Sequence, residues 1–353
     1  MRRAILAVAA VLVFAAGIPW FLLNRPYAGF EGETFVEIPR GASARQMAAA
    51  LSAKGVVRYE WLFPAVRLVD SRRVLHAGEY RFEKPASPRD ILSRIARGDS
   101  FYHELAVPEG WNVFQIGAAA GKLGLFSAAD FLAAARDPAL IRDLSPRAPS
   151  LEGYLFPDTY RLARRTTPAD LCRKMTARFR QVWGQLGGND VHAAATLASL
   201  IEKETGVAGE RPLVASVFRN RLRLGMKLDC DPTTIYAAML SGRYTGVIHR
   251  SDLESKHPYN TYRHAGLPPG PIANPGLASL EAALKPAETG YLYFVARADG
   301  SGRHRFSESI EKHGAATKQY RRANGKAVEK ATARGIPRTE ASQRKPARRG
   351  RAR

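Results

Sequence analysis

Cysteine is nearly absent: Cys172 and Cys230 are the only two in 353 residues. No CxxC pair and no Cys/His cluster occurs, so neither a zinc site nor another metal or cofactor is expected. Two thiols do not make a disulfide framework. They could pair in an exported chain, but nothing in the sequence brings them together. Acidic residues are also scarce, 32 against 54 Lys and Arg, which leaves a net charge of +22. Such an excess first suggests nucleic acid. Its distribution points elsewhere: residues 321–353 hold twelve Lys/Arg and two acids, a net of +10, among Ala and Gly with few large apolar side chains. That composition reads as a basic disordered tail, solvated or weakly held by an anionic membrane or wall polymer, and no nucleic-acid partner is expected.

Long apolar runs are lacking too, with one exception. Met1-Arg2-Arg3 precedes Ala4–Leu23, 20 residues without a charge. That length crosses a bilayer as one helix. Arg2 and Arg3 favour a cytoplasmic N-terminus, and Trp20 suits the far interface. A cleaved signal peptide with Ala15-Ala16-Gly17 at its cleavage region is the alternative, but the run continues to Leu23, longer than a signal's apolar core. Residues 1–24 are therefore expected to be a single-pass membrane anchor, with the remainder outside the cytoplasm.

The rest alternates short strand and helix patterns, an α+β chain with a small module in front of a larger domain. In the small module, over 30–110, Glu33–Pro39 and Gly78–Phe82 alternate as strands. Ser43–Lys54, Tyr59–Asp70 and Ser87–Arg97 have helical spacing, with Ser43 and Ser87 as N-caps and Gly55 and Gly98 as stops. Phe101–Val107 is a further strand. Trp111, Tyr80 and Tyr102 could stack on sugars, although such aromatics more often fill a core. The module binds glycan or a partner, or spaces the next domain from the membrane. Residues 111–150 read as a helical connection that ends in a Pro- and Ser-rich link.

The larger domain, 151–320, is organised around VHAAATLASLIEKETG, Val191–Gly206. At about 100° per residue, Ala193, Ala194, Leu197, Leu200 and Ile201 share one arc, and Glu204 falls inside it. Glu202 and Lys203 project to the flanks, and Gly206 is a plausible stop. A carboxyl where the pattern wants an apolar side chain is desolvated, its pKa rises, and it suits a general acid. A frayed, solvated EKE turn is the plainer reading of the same letters. Upstream, LEGYLFPDTYRL (Leu151–Leu162) reads as a rigid wall segment, and Thr167 opens a helix to about Trp183. Downstream, Glu210–Leu224 is helical. Asp231-Pro232-Thr233-Thr234 is a capping pattern that explains Asp231 as an N-cap. His257–Gly276 is polar, aromatic and rich in Pro and Gly, a long ordered loop of the functional kind. In it Asn260, Tyr262 and Leu267-Pro268-Pro269-Gly270 could rim a cleft. Tyr291–Arg297 and His304–Ser307 form a hairpin about the turn Ala298–Gly302, and a helix from Ser309 to Tyr320 closes the domain.

ASLIEKETG, ASVFRNRL, MKLDCDPTTIYA, PYNTYRHAGLPPGPIANPG and YLYFVARADGSGRHRFSES occur in the order and spacing of a known family. With LEGYLFPDTYRL, and with GASARQMAAALSAKGVV and HAGEYRF in front, the chain resembles the endolytic murein transglycosylases, the MltG/YceG-like family, over roughly residues 30–320. Asp229 stands where that family often has Gln. The resemblance implies a LysM-like front module, a YceG-like catalytic domain and an inner-membrane anchor holding both in the periplasm. It implies cleavage of peptidoglycan glycan strands between N-acetylmuramic acid and N-acetylglucosamine, with peptidoglycan synthases as candidate partners. The family's catalytic glutamate falls on Glu204. One carboxyl suffices for that chemistry: it protonates the glycosidic oxygen, then takes the proton of the muramic acid 6-hydroxyl as that oxygen closes on C1 into a 1,6-anhydro end. Asn260, Tyr262, Leu267, Pro268, Pro269, Gly270, Asp231 and Asp158 are the expected substrate contacts, with Glu152 a further candidate for electrostatic support. The alternatives are a hydrolytic muramidase, which needs a second carboxylate about 5–9.5 Å away, and a non-catalytic peptidoglycan-binding scaffold.

Overall fold

The structure is a computed structural model that describes residues 17–332 apart from 19, 70 and 71. The expected anchor, 1–24, lies mostly outside the described residues. Among these, no helix is long and apolar enough to cross a membrane. The chain forms two compact units, Met1–Glu104 with Arg161–Arg164, and Leu105–Tyr160 with Arg165–Arg353.

In the front unit β1 (Thr34–Ile38) pairs antiparallel with β2 (Gly78–Phe82), Thr34 opposite Phe82 and Ile38 opposite Gly78. The period-2 pattern puts Val36, Ile38, Tyr80 and Phe82 inward. Helices α1 (Ala44–Ala53), α2 (Leu62–Val69) and α3 (Pro88–Arg97) cover that face with Met47, Leu51, Phe63, Ile91 and Ile95. Ser43 and Ser87 close reciprocal capping boxes with Gln46 and Asp90, and Gly98 ends α3 in the left-handed region. Tyr80 is fully buried and its hydroxyl donates to the His76 carbonyl, so it is a core residue and offers no face to a sugar.

Strands β3 (His103–Ala106) and β4 (Thr159–Leu162) pair. The second unit begins within them. Its helices are α4 (Val113–Gly121), α5 (Ala128–Arg136), α6 (Pro168–Leu186), α7 (Val191–Glu204), α8 (Arg211–Arg223), α9 (Asp231–Leu240), the single turn α10 (Arg250–Leu253), α11 (Leu277–Leu284) and α12 (Ile310–Thr332). Strands β5 (Tyr293–Ala296) and β6 (His304–Ser307) make the expected hairpin. Helix α12 runs twelve residues beyond the expected end at Tyr320, into what reads as tail: without an apolar stripe the sequence there does not announce a helix.

α7 lies at the centre, packed by α8, α9 and α11. It is buried on nearly all sides from Ala194 to Ile201, where one apolar arc is expected. Ala195, Thr196, Ala198 and Ser199 lie on the other sides and are short enough to admit close neighbours. Thr196 and Ser199 turn their hydroxyls back to helix carbonyls, so they enter the interior without an unsatisfied donor. Leu197, Leu200 and Ile201 join Val214, Phe218, Tyr236 and Ile272 in one core. Asp190 caps the helix through the Ala193 N–H. At the other end Thr205, in extended conformation, takes the C-cap and Gly206 needs no left-handed turn.

Candidate active site

Glu204 is the last residue of α7 and is half-buried where the helix leaves the core. Its Oε1 accepts a hydrogen bond from the Cys230 thiol at 3.0 Å. Desolvation pushes the carboxyl pKa up, against the thiol's bond. The negative charge of Asp231 adds to the rise, while the positive charges of His304 and Arg221 oppose it. Burial likewise pushes the Cys230 thiol well up, so it remains a donor. Both cysteines are free and buried.

The segment carrying Cys230 and Asp231 is fixed from below by Arg221. Its Nη1 donates to the carbonyls of Lys227 and Leu228 at 3.1 and 3.0 Å and to Asp229 Oδ2 at 3.3 Å. Asp229 stands in the left-handed region at φ 48°. The chain then turns inward, with the Cys230 N–H donating to Thr261 Oγ1 at 3.0 Å. Asp231 is not the cap that its sequence pattern implies. Cys230 occupies that position without a capping bond from its side chain, and Asp231 is the first residue of α9. Its exposed carboxylate accepts instead from the Tyr262 hydroxyl at 2.6 Å. Burial and then this carboxylate push the Tyr262 pKa up. Glu204, Cys230, Asp231 and Tyr262 therefore form one connected group.

Asn260, expected at a cleft rim, is fully buried and faces inward. Its amide donates to the carbonyls of Asp252, Leu253 and Ser255, and its oxygen accepts from Thr234 Oγ1 and the Tyr262 N–H. Its polar atoms are spent on the loop, and Tyr262 takes the outward place. Leu267 packs against the core, and Pro268 and Gly270 are buried while Pro269 is exposed. Asp158 is exposed and paired with Arg178 Nε at 2.9 Å on α6, a binding role unsupported by any bond to the Glu204 group.

Asn274, His192 and Glu210, which carry no sequence signal, hold this arrangement together with Glu152 and Glu202. Asn274 is fully buried; its Oδ1 accepts from Gly153 and Leu155 N–H at 2.8 and 2.9 Å, and its Nδ2 donates to Trp111 O and Glu152 Oε1 at 3.0 and 2.8 Å. It thus staples the wall segment to the loop. Glu152, 1% exposed, also accepts from the Val113 N–H at 2.9 Å, yet burial pushes its pKa up to about 8. His192 lies between Tyr154 Oη, 3.0 Å from Nδ1, and the Pro269 carbonyl, 3.0 Å from Nε2. Burial holds its pKa below the ordinary value. The neutral ring then donates from Nε2 to Pro269 and accepts from Tyr154. Glu202 belongs to the interior: it accepts from Ser279 Oγ at 2.6 Å and the Gly276 N–H at 3.2 Å and faces Arg211 at 3.5 Å. Glu210 accepts from both the N–H and the Nδ1 of His304 at 2.9 and 2.8 Å.

Chemically, the group offers one carboxyl with a raised pKa, with an exposed carboxylate and a phenol beside it. Comparison with known proteins places this architecture. The chain is 34% identical over 307 residues to a protein from Bacillus subtilis named endolytic murein transglycosylase, covering 81% of this chain and 84% of that one. It is 29% identical over 295 residues to a protein of the same name from Streptococcus pneumoniae, covering 74% of this chain and 54% of the other. A crystal structure of a yceG-like protein from Listeria monocytogenes superposes with a TM-score of 0.52 at 31% identity, covering 81% of this chain and 99% of that one. The profile of the YceG-like family matches residues 36–319. The chain belongs to the YceG-like family.

Proposed function

We propose that the protein is a lytic transglycosylase that cuts peptidoglycan glycan strands internally, between N-acetylmuramic acid and N-acetylglucosamine, with Glu204 as general acid and then base. The observation that carries this reading is the half-buried Glu204 carboxyl at the end of the central helix, its pKa raised by desolvation and by Asp231. The names of the bacillar and streptococcal relatives support the substrate and reaction class. Glu204 gives its proton to the glycosidic oxygen as the bond to C1 breaks. The muramic acid O6 then bonds to C1, and its proton passes to the Glu204 carboxylate. The acid is restored, no water is consumed, and a 1,6-anhydro end is left. Asp231 bears on the cationic character of C1, Tyr262 orients Asp231, and Pro269, the exposed residue of the Leu267–Gly270 segment, borders the sugar. In this reading residues 1–24 anchor the chain in the inner membrane with both units in the periplasm, the front unit is the LysM-like, glycan-facing module, and peptidoglycan synthases are candidate partners.

A hydrolytic reading is kept because Asp231 is a second carboxylate close enough to bear on Glu204. The full chain incubated with uncross-linked glycan strands separates the readings by mass spectrometry of the products. Anhydro ends that vanish in Glu204→Gln and persist in Glu202→Gln are expected. Reducing ends, heavier by one water, make the protein a hydrolase with Asp231 as its second group. Strands bound but uncut by the native chain make it a scaffold.

A further inference from the structure

Leu23, the last residue of the apolar N-terminal run, packs against the core of the front unit. Four residues later Tyr27 pairs with Ala86 through two backbone hydrogen bonds of 3.1 and 3.3 Å, and the Gly29 N–H donates to the Gly55 carbonyl at 2.8 Å. A Cβ on Gly55 would stand 2.5 Å from the Gly29 oxygen, so the two backbones touch. There is no flexible linker between run and unit. A cavity of about 90 Å³ has Leu22 and Arg25 on one wall and Arg58 and Tyr59 on another. Beside it the chain exposes a short run of four residues, Arg58 to Trp61. Tyr59 and Trp61 are stacked at 6.4 Å, with 43% and 52% of their surfaces exposed, and the Arg58 guanidinium lies 5.4 Å over the Tyr59 ring. Arg25 makes the same contact with exposed Phe21 at 5.5 Å.

The combination of exposed Trp, Tyr and Arg is that of a membrane–water interface. The end of the apolar run shares this face through Leu22 and Arg25. We propose that Tyr59 and Trp61, with Arg58 and Arg25, form a second membrane contact that seats the front unit on the phospholipid headgroup layer. The unit would then be a foot on the membrane surface and not a spacer. This rests on the reading of residues 1–24 as an anchor.

The test uses the full chain reconstituted in phosphatidylethanolamine–phosphatidylglycerol vesicles whose acyl chains are brominated near the headgroup. Trp20→Phe reports Trp61, Trp61→Phe reports Trp20, and the double variant gives the background of Trp111 and Trp183. Loss of Trp61 emission in Trp20→Phe, beyond the loss in the double variant, is expected. If Trp20 is quenched in Trp61→Phe while Trp20→Phe matches the double variant, the anchor stands and the second contact is overturned. If neither is quenched, the anchor itself fails and the contact with it. If Trp61 emission responds to soluble glycan strands and not to brominated lipid, the stack is a sugar platform and the membrane proposal is overturned.

Discussion

The Cys230 thiol donates to Glu204 Oε1 at 3.0 Å, joining a loop residue to the end of the central helix across 26 positions of sequence. The bond favours the charged carboxylate and so holds down a pKa that desolvation raises. Activity that needs protonated Glu204 falls as pH rises through that pKa. Cys230→Ala removes the donor, and the alkaline limb of the pH–rate profile of glycan cleavage should move to higher pH. Cys230→Ser, which keeps a stronger donor, should return the limb to the native position or below it. Limbs that coincide in all three proteins would reduce Cys230 to packing.

The two glutamates of α7 should separate in their effects. Glu204→Gln should lower cleavage by about 10²–10⁴-fold with little loss of stability. The Glu202 side chain is 8% exposed, and its partner Arg211 already has a buried Nε without a bond. Glu202→Ala leaves that guanidinium only the Glu109 carboxylate at 3.8 Å and removes the acceptor of the Ser279 hydroxyl, and should cost about 1–3 kcal/mol in urea unfolding.

Glu152 should make stability fall as pH rises. Its carboxyl titrates near 4.5 when unfolded and is pushed up to about 8 by burial in the fold. The fold favours the protonated form, so the contribution is whole below about 4.5 and is lost as pH rises through about 8. The decline amounts to a value on the order of 3–5 kcal/mol. In Glu152→Gln this component of the pH dependence should disappear from denaturant titrations between pH 5 and about 9. An unchanged slope would mean that Glu152 is ionised in the folded protein.

His192→Ala should loosen the Pro268–Gly270 segment. The ring links Tyr154 Oη to the Pro269 carbonyl, and its removal strands the buried Tyr154 hydroxyl with only Ser145 as partner. A loss of about 1–3 kcal/mol is expected from thermal melting. Glycan cleavage should fall by more than that loss accounts for.

Two glycines near the site should respond oppositely to alanine. Gly153 has φ +86°, and a Cβ there would sit 2.2 Å from Pro271 Cγ. Gly153→Ala should lose about 2–4 kcal/mol or fail to fold. A Cβ at Gly206 meets nothing within 4 Å, and Gly206→Ala should be neutral in the same melting assay.

What the sequence made legible was local. Ser43 and Ser87 declare their helices because a cap and its partner lie within three residues. Glu204 could be singled out because helical spacing relates it to Leu197 and Ile201. Its surroundings were not legible, since Cys230, Asp231 and Tyr262 arrive from other segments and no periodicity encodes that meeting. Asp231 reads as a cap because Asp-Pro-Thr-Thr satisfies the local rule, yet Cys230 takes the position and the Tyr262 hydroxyl takes the carboxylate. Asn260 reads as a rim residue because polar loop residues are usually outside; only the folded loop supplies the carbonyls that bury it. α5 lies in what reads as a helical connection, and its short, Ala-rich apolar stripe did not mark its bounds.

Asn274 binds the amides of Gly153 and Leu155, the Trp111 carbonyl and the Glu152 carboxyl through one side chain. Asn274 lies more than a hundred residues from each of these partners in sequence, and its amide ties them together. In deuterated water the Gly153 and Leu155 N–H groups should therefore exchange at a common rate, as one cooperative block that opens only when the Pro271–Gly276 loop lifts. The wall segment and the loop are then a single mechanical part, and lengthening either alone would release the other.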